Sequence, residues 1–212
     1  MATNFSLELH TFRSPKFKSV VNHAVKFFEH TPVHTLPPPR RFVGAGIYAL
    51  YYLGSFEIYE RIATLNKDAF RLPIYVGKAV PPGSRTGFEV RRSETADLFR
   101  RLREHTKSLE QAENLGVKDF YCRFVIFGDI EIDLIAPVES ALIRKYRPLW
   151  NANILSGFGI HTPGQGRFQQ RRSRWDVLHP GRPWASRMIN LAANREDIVS
   201  DARKFLDKLK FS

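Results

Sequence analysis

Apolar positions recur along the chain with two periods, and the switches between them outline the elements. After Ser14-Pro15, a helix start signal, Val20, Val21, Ala24, Val25, Phe27 and Phe28 return at helical spacing and predict a helix to about His30. The stretch TLPPPRR, 35–41, cannot prolong it, because consecutive prolines donate no hydrogen bond and hold the chain extended, so it reads as a linker. GIYALYYL (46–53) and LPIYVGKA (72–79) are dense in aromatic and β-branched residues and bounded by Gly or Pro, which predicts two strands. Between them lies an inserted stretch, GSFEIYERIATLNKDAFR. TADLFRRLREHTKSLEQA (95–112) places Leu98, Leu102 and Leu109 on one helical stripe, and KDFYCRFVIF (118–127) alternates as a third strand. In GDIEIDLI the acids Asp129, Glu131 and Asp133 alternate, as on a solvated strand edge. A helix follows from about Pro137 to Tyr146, then a Gly- and Arg-rich region, then a last helix from about Glu196 to Leu209.

This order predicts an α/β (α+β) fold: a small three-stranded sheet flanked by helices, with additions at both ends. Residues 1–43 form an N-terminal helix and proline arm, 44–153 the core with an insertion at about 54–72, and 154–212 a basic C-terminal extension. With 212 residues and 43% hydrophobic content the chain can bury one sizeable core. Its charge narrows the partners: 33 Lys and Arg against 21 Asp and Glu give a formal net charge of +12, which favours a polyanion, nucleic acid first. Membrane binding is set aside, since no run of 18 apolar residues exists and no basic amphipathic helix stands apart. The N-terminus lacks the uninterrupted apolar stretch of a signal peptide and a single Cys122 forms no intrachain disulfide, so a reducing cytoplasm is expected. Cys122 reads as a small buried hydrophobe without a chemical role.

Four places depart from ordinary patterning. Gly46-Ile47-Tyr48 and Tyr75-Val76-Gly77 put a tyrosine and a glycine on each of two consecutive strands; either tyrosine alone is ordinary core, but paired strands can turn both toward one site. Arg101 and His105 are i and i+4 on one helical face, bordering the leucine stripe, whereas Arg100 and Arg103 read as solvated surface. Glu139 shares a helical face with Leu142, Ile143 and Tyr146, so a carboxylate stands where an apolar residue is expected and needs a cation partner if buried. The alternative is an exposed first-turn Glu favoured by the helix dipole. Asn151 either caps this helix or reaches the same site.

GIY, YVG, the Arg101-Leu102-Arg103-Glu104-His105 pattern, the helical Glu139 and the trailing Asn151 stand in the order found in GIY-YIG nucleases, which the chain resembles over roughly residues 44–153. The strings TPVHTLPPPRRF, LPIYVGKAVP, FGIHTPGQGRF and WDVLHPGRPWA extend the likeness to the type II restriction endonucleases of that family, of the kind that cut CCGCGG. One departure is the spacing of the tripeptides: residues 49–74, 26 in all, intervene, more than the family usually has. The excess reads as a hairpin insertion. It also creates a decoy, Tyr52-Leu53-Gly54, although Lys78-Ala79 and the helix after Tyr75 identify Tyr75 as the better choice.

The resemblance implies a metal-dependent, site-specific double-strand DNA endonuclease with Tyr48, Tyr75, Arg101, His105, Glu139 and Asn151 as its catalytic set. Glu139 is a hard oxygen ligand suited to one Mg²⁺, for which Mn²⁺ can substitute. An unperturbed tyrosine loses its proton near pH 10, so Tyr48 as general base at neutral pH needs its phenolate favoured by roughly 3 units, about 4 kcal/mol, or needs its proton relayed, with His105 the acceptor. Arg101 would hold the phosphate bidentately. Tyr75 would orient water or phosphate.

Arg167, Arg171, Arg172, Arg174 and Arg182, with Lys78, are the candidate DNA-binding residues; the arginines are interleaved with Trp175 and Trp184 and read either as guanine-reading groups or as a solvated basic face. A palindromic target calls for a homodimer, with the N-terminal helix and proline arm as candidate contacts. The whole describes a prokaryotic cytoplasmic enzyme acting on double-stranded DNA. Two other readings stay open: a non-catalytic DNA-binding protein of the same fold, and a repair or homing nuclease of the family. A Cys-rich zinc module is excluded by the single cysteine.

Overall fold

The strand that carries the first tripeptide is buried along its whole length. A computed structural model describes residues 5–81, 95–159, 168–188 and 194–209, and within it strand β2 (Ala45–Tyr52) has no exposed position. Its two faces serve different layers. Tyr48, Leu50 and Tyr52 pack with Leu98, Leu102 and Leu109 of helix α3 (Asp97–Glu110), while Ile47, Ala49 and Tyr51 pack with Val21, Val25 and Phe28 of helix α1 (Phe17–His30) and Ile135, Val138 and Leu142 of helix α4 (Ile135–Tyr146). A strand covered on both sides reads as a continuous apolar run, which is why GIYALYYL lacks polar alternation.

The sheet has four antiparallel strands in the order β1-β4-β2-β3, with β1 at Val33–Thr35, β3 at Tyr75–Ala79 and β4 at Phe120–Phe127. The expected sheet of three strands is therefore extended by β1, which pairs Val33 with Arg123 and Thr35 with Tyr121 on the outer edge of β4. Three residues are too short to display a period in the sequence, and their pairing partner lies far along the chain. The alternating acids after β4 are also corrected: Asp129 and Glu131 are exposed in a turn, and a short 3₁₀ segment, Ile132–Leu134, runs into α4. Ile132 and Ile135 are three apart and both buried, so helical spacing overrides the apparent alternation.

Helix α1 starts where the Ser14 hydroxyl accepts the Phe17 N–H at 3.2 Å. Only Val21, Val25 and Phe28 of its apolar positions are buried; Val20 and Phe27 face outward.

The insertion folds rather than dangles. It contains helix α2 (Glu60–Asn66), and its two ends are fastened by the buried Asn66, whose Nδ2 donates to the Tyr52 carbonyl (3.2 Å) and the Leu72 carbonyl (2.8 Å) while Oδ1 accepts the Leu72 N–H (2.8 Å). That clamp returns the chain to β3 in register, so the wide tripeptide spacing leaves the hairpin intact. The outer side of the insertion rests on helix α6 (Arg195–Lys208), Arg61 donating to the Leu206 carbonyl at 2.8 Å and Arg203 pairing with Glu57 at 2.5 Å.

The described part of the C-terminal region shares the core of the preceding segment. Phe158, Trp175, Leu178, Ile198, Ala202 and Leu206 belong to the same cluster as Tyr48 and Leu102, and helix α5 (Arg174–Leu178) supplies two of them. None of the described helices is long and apolar enough to cross a membrane.

Candidate active site

Tyr48 sits at the centre of β2, opposite Gly77 of β3. A Cβ at Gly77 would lie 2.4 Å from the Tyr48 hydroxyl and 2.9 Å from the Tyr75 ring, so the glycine is the space into which the phenol turns. Gly46 has a backbone cause: a Cβ there would fall 1.9 Å from the Val125 carbonyl oxygen of β4. The glycine of each tripeptide thus answers a close approach, the first to a strand and the second to a side chain.

From α3, His105 brings Nε2 to 2.5 Å from the Tyr48 hydroxyl, and both residues are buried. The imidazole is held between rings: Phe158 stacks on it at 4.6 Å and 17°, and Tyr75 meets it edge-on at 5.3 Å. Arg101, one turn earlier, donates to the Gly159 carbonyl at 2.7 Å and to Glu104 at 2.9 Å. Tyr75 lies 6.2 Å from Tyr48, ring centre to ring centre. Tyr52, in the competing tripeptide, instead accepts the Phe56 N–H at 2.8 Å and packs on Phe120 and Tyr59. Among the two candidates it is Tyr75 that faces Tyr48, His105 and Arg101.

Burial pushes the Tyr48 phenol well above its ordinary value, and Tyr75 adds to this while the Arg101 charge opposes it. Tyr75 is raised by the same desolvation, again opposed by Arg101. Both hydroxyls therefore stay protonated at neutral pH. Of the two ways in which Tyr48 could serve as a base, the favoured phenolate runs against this environment, since burial shifts the phenol toward its protonated form. The guanidinium of Arg101 is disfavoured by its own burial, which the Tyr48, Glu104 and Tyr75 oxygens outweigh, so it remains a cation.

Glu139 comes from the other face of the sheet. It projects from α4 beside the edge strand β3, with 16% of its side chain exposed, and its partner is Lys78, Nζ to Oε2 2.6 Å. The expected cation partner is thus Lys78, one residue past the second tripeptide. Glu139 is close enough to Tyr48 and Tyr75 for its charge to oppose ionisation of both. Among the described residues no three His, Cys, Asp or Glu side chains gather as a metal cage. A lone hard carboxylate fits Mg²⁺ or Mn²⁺, which take their remaining oxygens from water and phosphate.

Asn151 neither caps α4 nor points at the other five side chains. Its carboxamide pairs with one backbone unit of β3, Oδ1 accepting the Val76 N–H and Nδ2 donating to the Val76 carbonyl, each at 2.8 Å. Val76 lies between Tyr75 and Gly77, so Asn151 fixes the strand that presents both.

The arginine-rich region divides. Arg182, expected among the DNA-binding residues, is 1% exposed: it forms a two-point ion pair with Asp176 (both contacts 2.6 Å), donates to the Gly157 and Phe158 carbonyls, and lies between the Trp175 and Trp184 rings. It is a structural pin, and the correction follows from Asp176, whose proximity the sequence did not weigh. Arg174 pairs with Asp201 at 2.6 Å and Arg172 donates to the Ala185 carbonyl at 3.0 Å, so both are engaged within the fold. Arg171 is exposed, and Arg167 lies outside the described residues.

Phe158 and Gly159 went unrecognised in the sequence as site residues. A Cβ at Gly159 would approach the Tyr75 hydroxyl to 2.5 Å and Arg101 to 3.3 Å. The signal available was a glycine-flanked aromatic, GFG, at the start of the Gly- and Arg-rich region.

No curated protein matches the chain. The family model for the Eco29kI GIY-YIG domain matches residues 40–206, a span that holds both tripeptides, the α3 face, Glu139, Asn151 and most of the C-terminal region. On that match and this geometry, the chain belongs to the Eco29kI family of GIY-YIG restriction endonucleases.

Proposed function

We propose that the protein is a type II restriction endonuclease that hydrolyses both strands of DNA at a specific GC-rich palindrome such as CCGCGG, using one Mg²⁺ held by Glu139 and acting as a homodimer in the prokaryotic cytoplasm. The observation that carries the chemistry is the 2.5 Å bond between the Tyr48 hydroxyl and His105 Nε2, with Arg101 on the same helical face and Glu139 at the adjoining sheet edge.

The two buried groups act as a relay. As an attacking water loses its proton to the Tyr48 oxygen, the Tyr48 proton passes to His105 Nε2, so no free phenolate has to exist beforehand. The water oxygen forms a bond to phosphorus, the bond from phosphorus to the leaving oxygen breaks, and that oxygen takes a proton from solvent. Arg101 remains charged and balances the charge that develops on the phosphate. Phe158, stacked on His105, excludes water from the relay and fixes the imidazole plane. Tyr75 orients the water or the phosphate, and Asn151 holds the Tyr75 backbone. Glu139 would hold a divalent cation, which would supply further charge neutralisation at the reacting phosphate. Lys78, Arg171 and Arg167 are the basic groups to contact the DNA backbone or bases.

Digestion of a long DNA of known sequence, with Mg²⁺ or EDTA and with wild type or Glu139→Ala, tests this reading. Discrete fragments that require Mg²⁺ and Glu139 and end at CCGCGG are expected. A smear would remove the site specificity, and intact DNA with retained binding would favour a non-catalytic DNA-binding protein.

A further inference from the structure

Lys78 stands where its charge both serves and obstructs Glu139. It stands opposite Ile47 in the β2–β3 ladder, which turns its side chain to the α4 side of the edge strand, and its ammonium sits 2.6 Å from Glu139 Oε2. The Glu139 side chain is 16% exposed, so without a cation the carboxylate would be a poorly solvated charge close to two phenols that it already hinders from ionising. Arg101 donates to Glu104 and to the Gly159 carbonyl from α3, on the opposite face of the sheet.

A divalent ion on the same carboxylate would need Oε2 at about 2.0–2.1 Å if it is Mg²⁺, and an ammonium in contact with that oxygen would then stand against the ion as a like charge at short range. Lys78 already takes an acceptor position on that oxygen and repels an ion brought to the same carboxylate, so the ammonium and the metal compete for Glu139. We propose that Lys78 is a positioning residue that holds and aims the Glu139 side chain in the metal-free protein and is displaced when the cation binds, so that the ion pair sets the metal affinity of the site. This rests on the reading of Glu139 as the metal ligand. The half-exposed Lys78 side chain, 39% accessible, has room to move away without disturbing the core.

A competitor's removal tightens binding, whereas structural damage to a site weakens it, and this difference in sign gives the test. Mn²⁺ is titrated into the full chain without DNA and followed by water-proton relaxation, for wild type, Lys78→Gln, Lys78→Arg and Glu139→Gln, with circular dichroism in EDTA as the check on folding. Lys78→Gln is expected to bind Mn²⁺ about three- to tenfold more tightly, the range set by the strength of a partly exposed charge-assisted pair, with Lys78→Arg staying near wild type because the competing cation is kept. Lys78→Met is the second neutral variant if Lys78→Gln does not fold. Unchanged or weaker Mn²⁺ binding in the neutral variants, with binding lost in Glu139→Gln, would overturn the role of Lys78 and leave the metal reading standing. Mn²⁺ binding retained in Glu139→Gln, or absent from every variant and from wild type, would overturn the metal reading and this proposal with it.

Discussion

The Asn151 carboxamide lies alongside the backbone of Val76 as a further strand would, donating to its carbonyl and accepting its N–H, each at 2.8 Å. Because Val76 separates Tyr75 from Gly77, this pairing sets where the second tyrosine and the gap for Tyr48 stand. Asn151→Asp keeps the acceptor and loses the donor, leaving the Val76 carbonyl unpaired beside a new negative charge. The expected loss is about 1–3 kcal/mol of stability, together with a fall in kcat larger than any rise in KM. Cleavage kinetics and thermal unfolding measured on one preparation check it; a KM effect alone would assign Asn151 to substrate binding instead.

Replacing Tyr48 with Phe removes the hydroxyl that joins water to His105 and leaves Nε2 without that partner. Cleavage should fall to background while DNA binding, read by gel shift at fixed salt, changes little. His105→Ala should also lose cleavage, because the phenol is raised too far by burial to act unaided. Full activity in Tyr48→Phe sinks the relay.

Gly77→Ala places a methyl 2.4 Å from the Tyr48 hydroxyl. The ring must swing off His105, so activity is expected to fall nearly as far as in Tyr48→Phe although the lost group is a hydrogen. An active Gly77→Ala enzyme would show that Tyr48 need not occupy that gap.

Arg182 and Arg171 should behave differently. Arg182→Ala strands the buried Asp176 carboxylate, and breaking such a pair destabilises by about 3–5 kcal/mol, seen as a lowered denaturant midpoint. Arg171→Ala, at an exposed position, should leave stability within about 0.5 kcal/mol and act on DNA affinity and its salt dependence. Unaltered stability in Arg182→Ala would contradict the pin.

The buried His179 gives a pH dependence. It accepts or donates with Tyr59 at 2.5 Å and with Asn114 at 2.7 Å, and burial, aided by the charges of Arg195 and Arg182, depresses it from 6.5 to about 3. The unfolded chain therefore binds this proton more strongly than the folded one. The stability it contributes is complete above pH 6.5 and declines as pH falls toward about 3, by at most about 1.4 kcal/mol per pH unit. Urea unfolding at pH 7 and pH 4.5 should show wild type losing more stability than His179→Gln; equal losses would mean that the histidine is charged in the fold.

The periodicity of the chain was enough for its longer elements. The leucine stripe of α3 and the doubly buried run of β2 are local patterns, so helix and strand could be read before any contact was known. Arg101, His105 and Glu139 stood out for a related reason, since each breaks or borders an apolar pattern on its own element, whereas Tyr48 and Tyr75 stood out only as a pair of Gly-containing tripeptides on consecutive strands. β1 was invisible because a three-residue strand has no period, and the acids after β4 misled because two alternations and one helical step share the same few residues.

By itself the sequence determined the α+β class, the order of elements, the basic charge that suits a polyanion, and the five residue types that form a nuclease-like set. Only the tertiary structure decided who partners whom. Lys78 meets Glu139 because β3 and α4 adjoin at the sheet edge, Arg182 is withdrawn from solvent by an aspartate six residues away, and Phe158 reaches His105 from a segment more than fifty residues downstream. Periodicity records which face of an element is buried; it carries no record of the distance between elements, and pairing, protonation and stacking all depend on that distance.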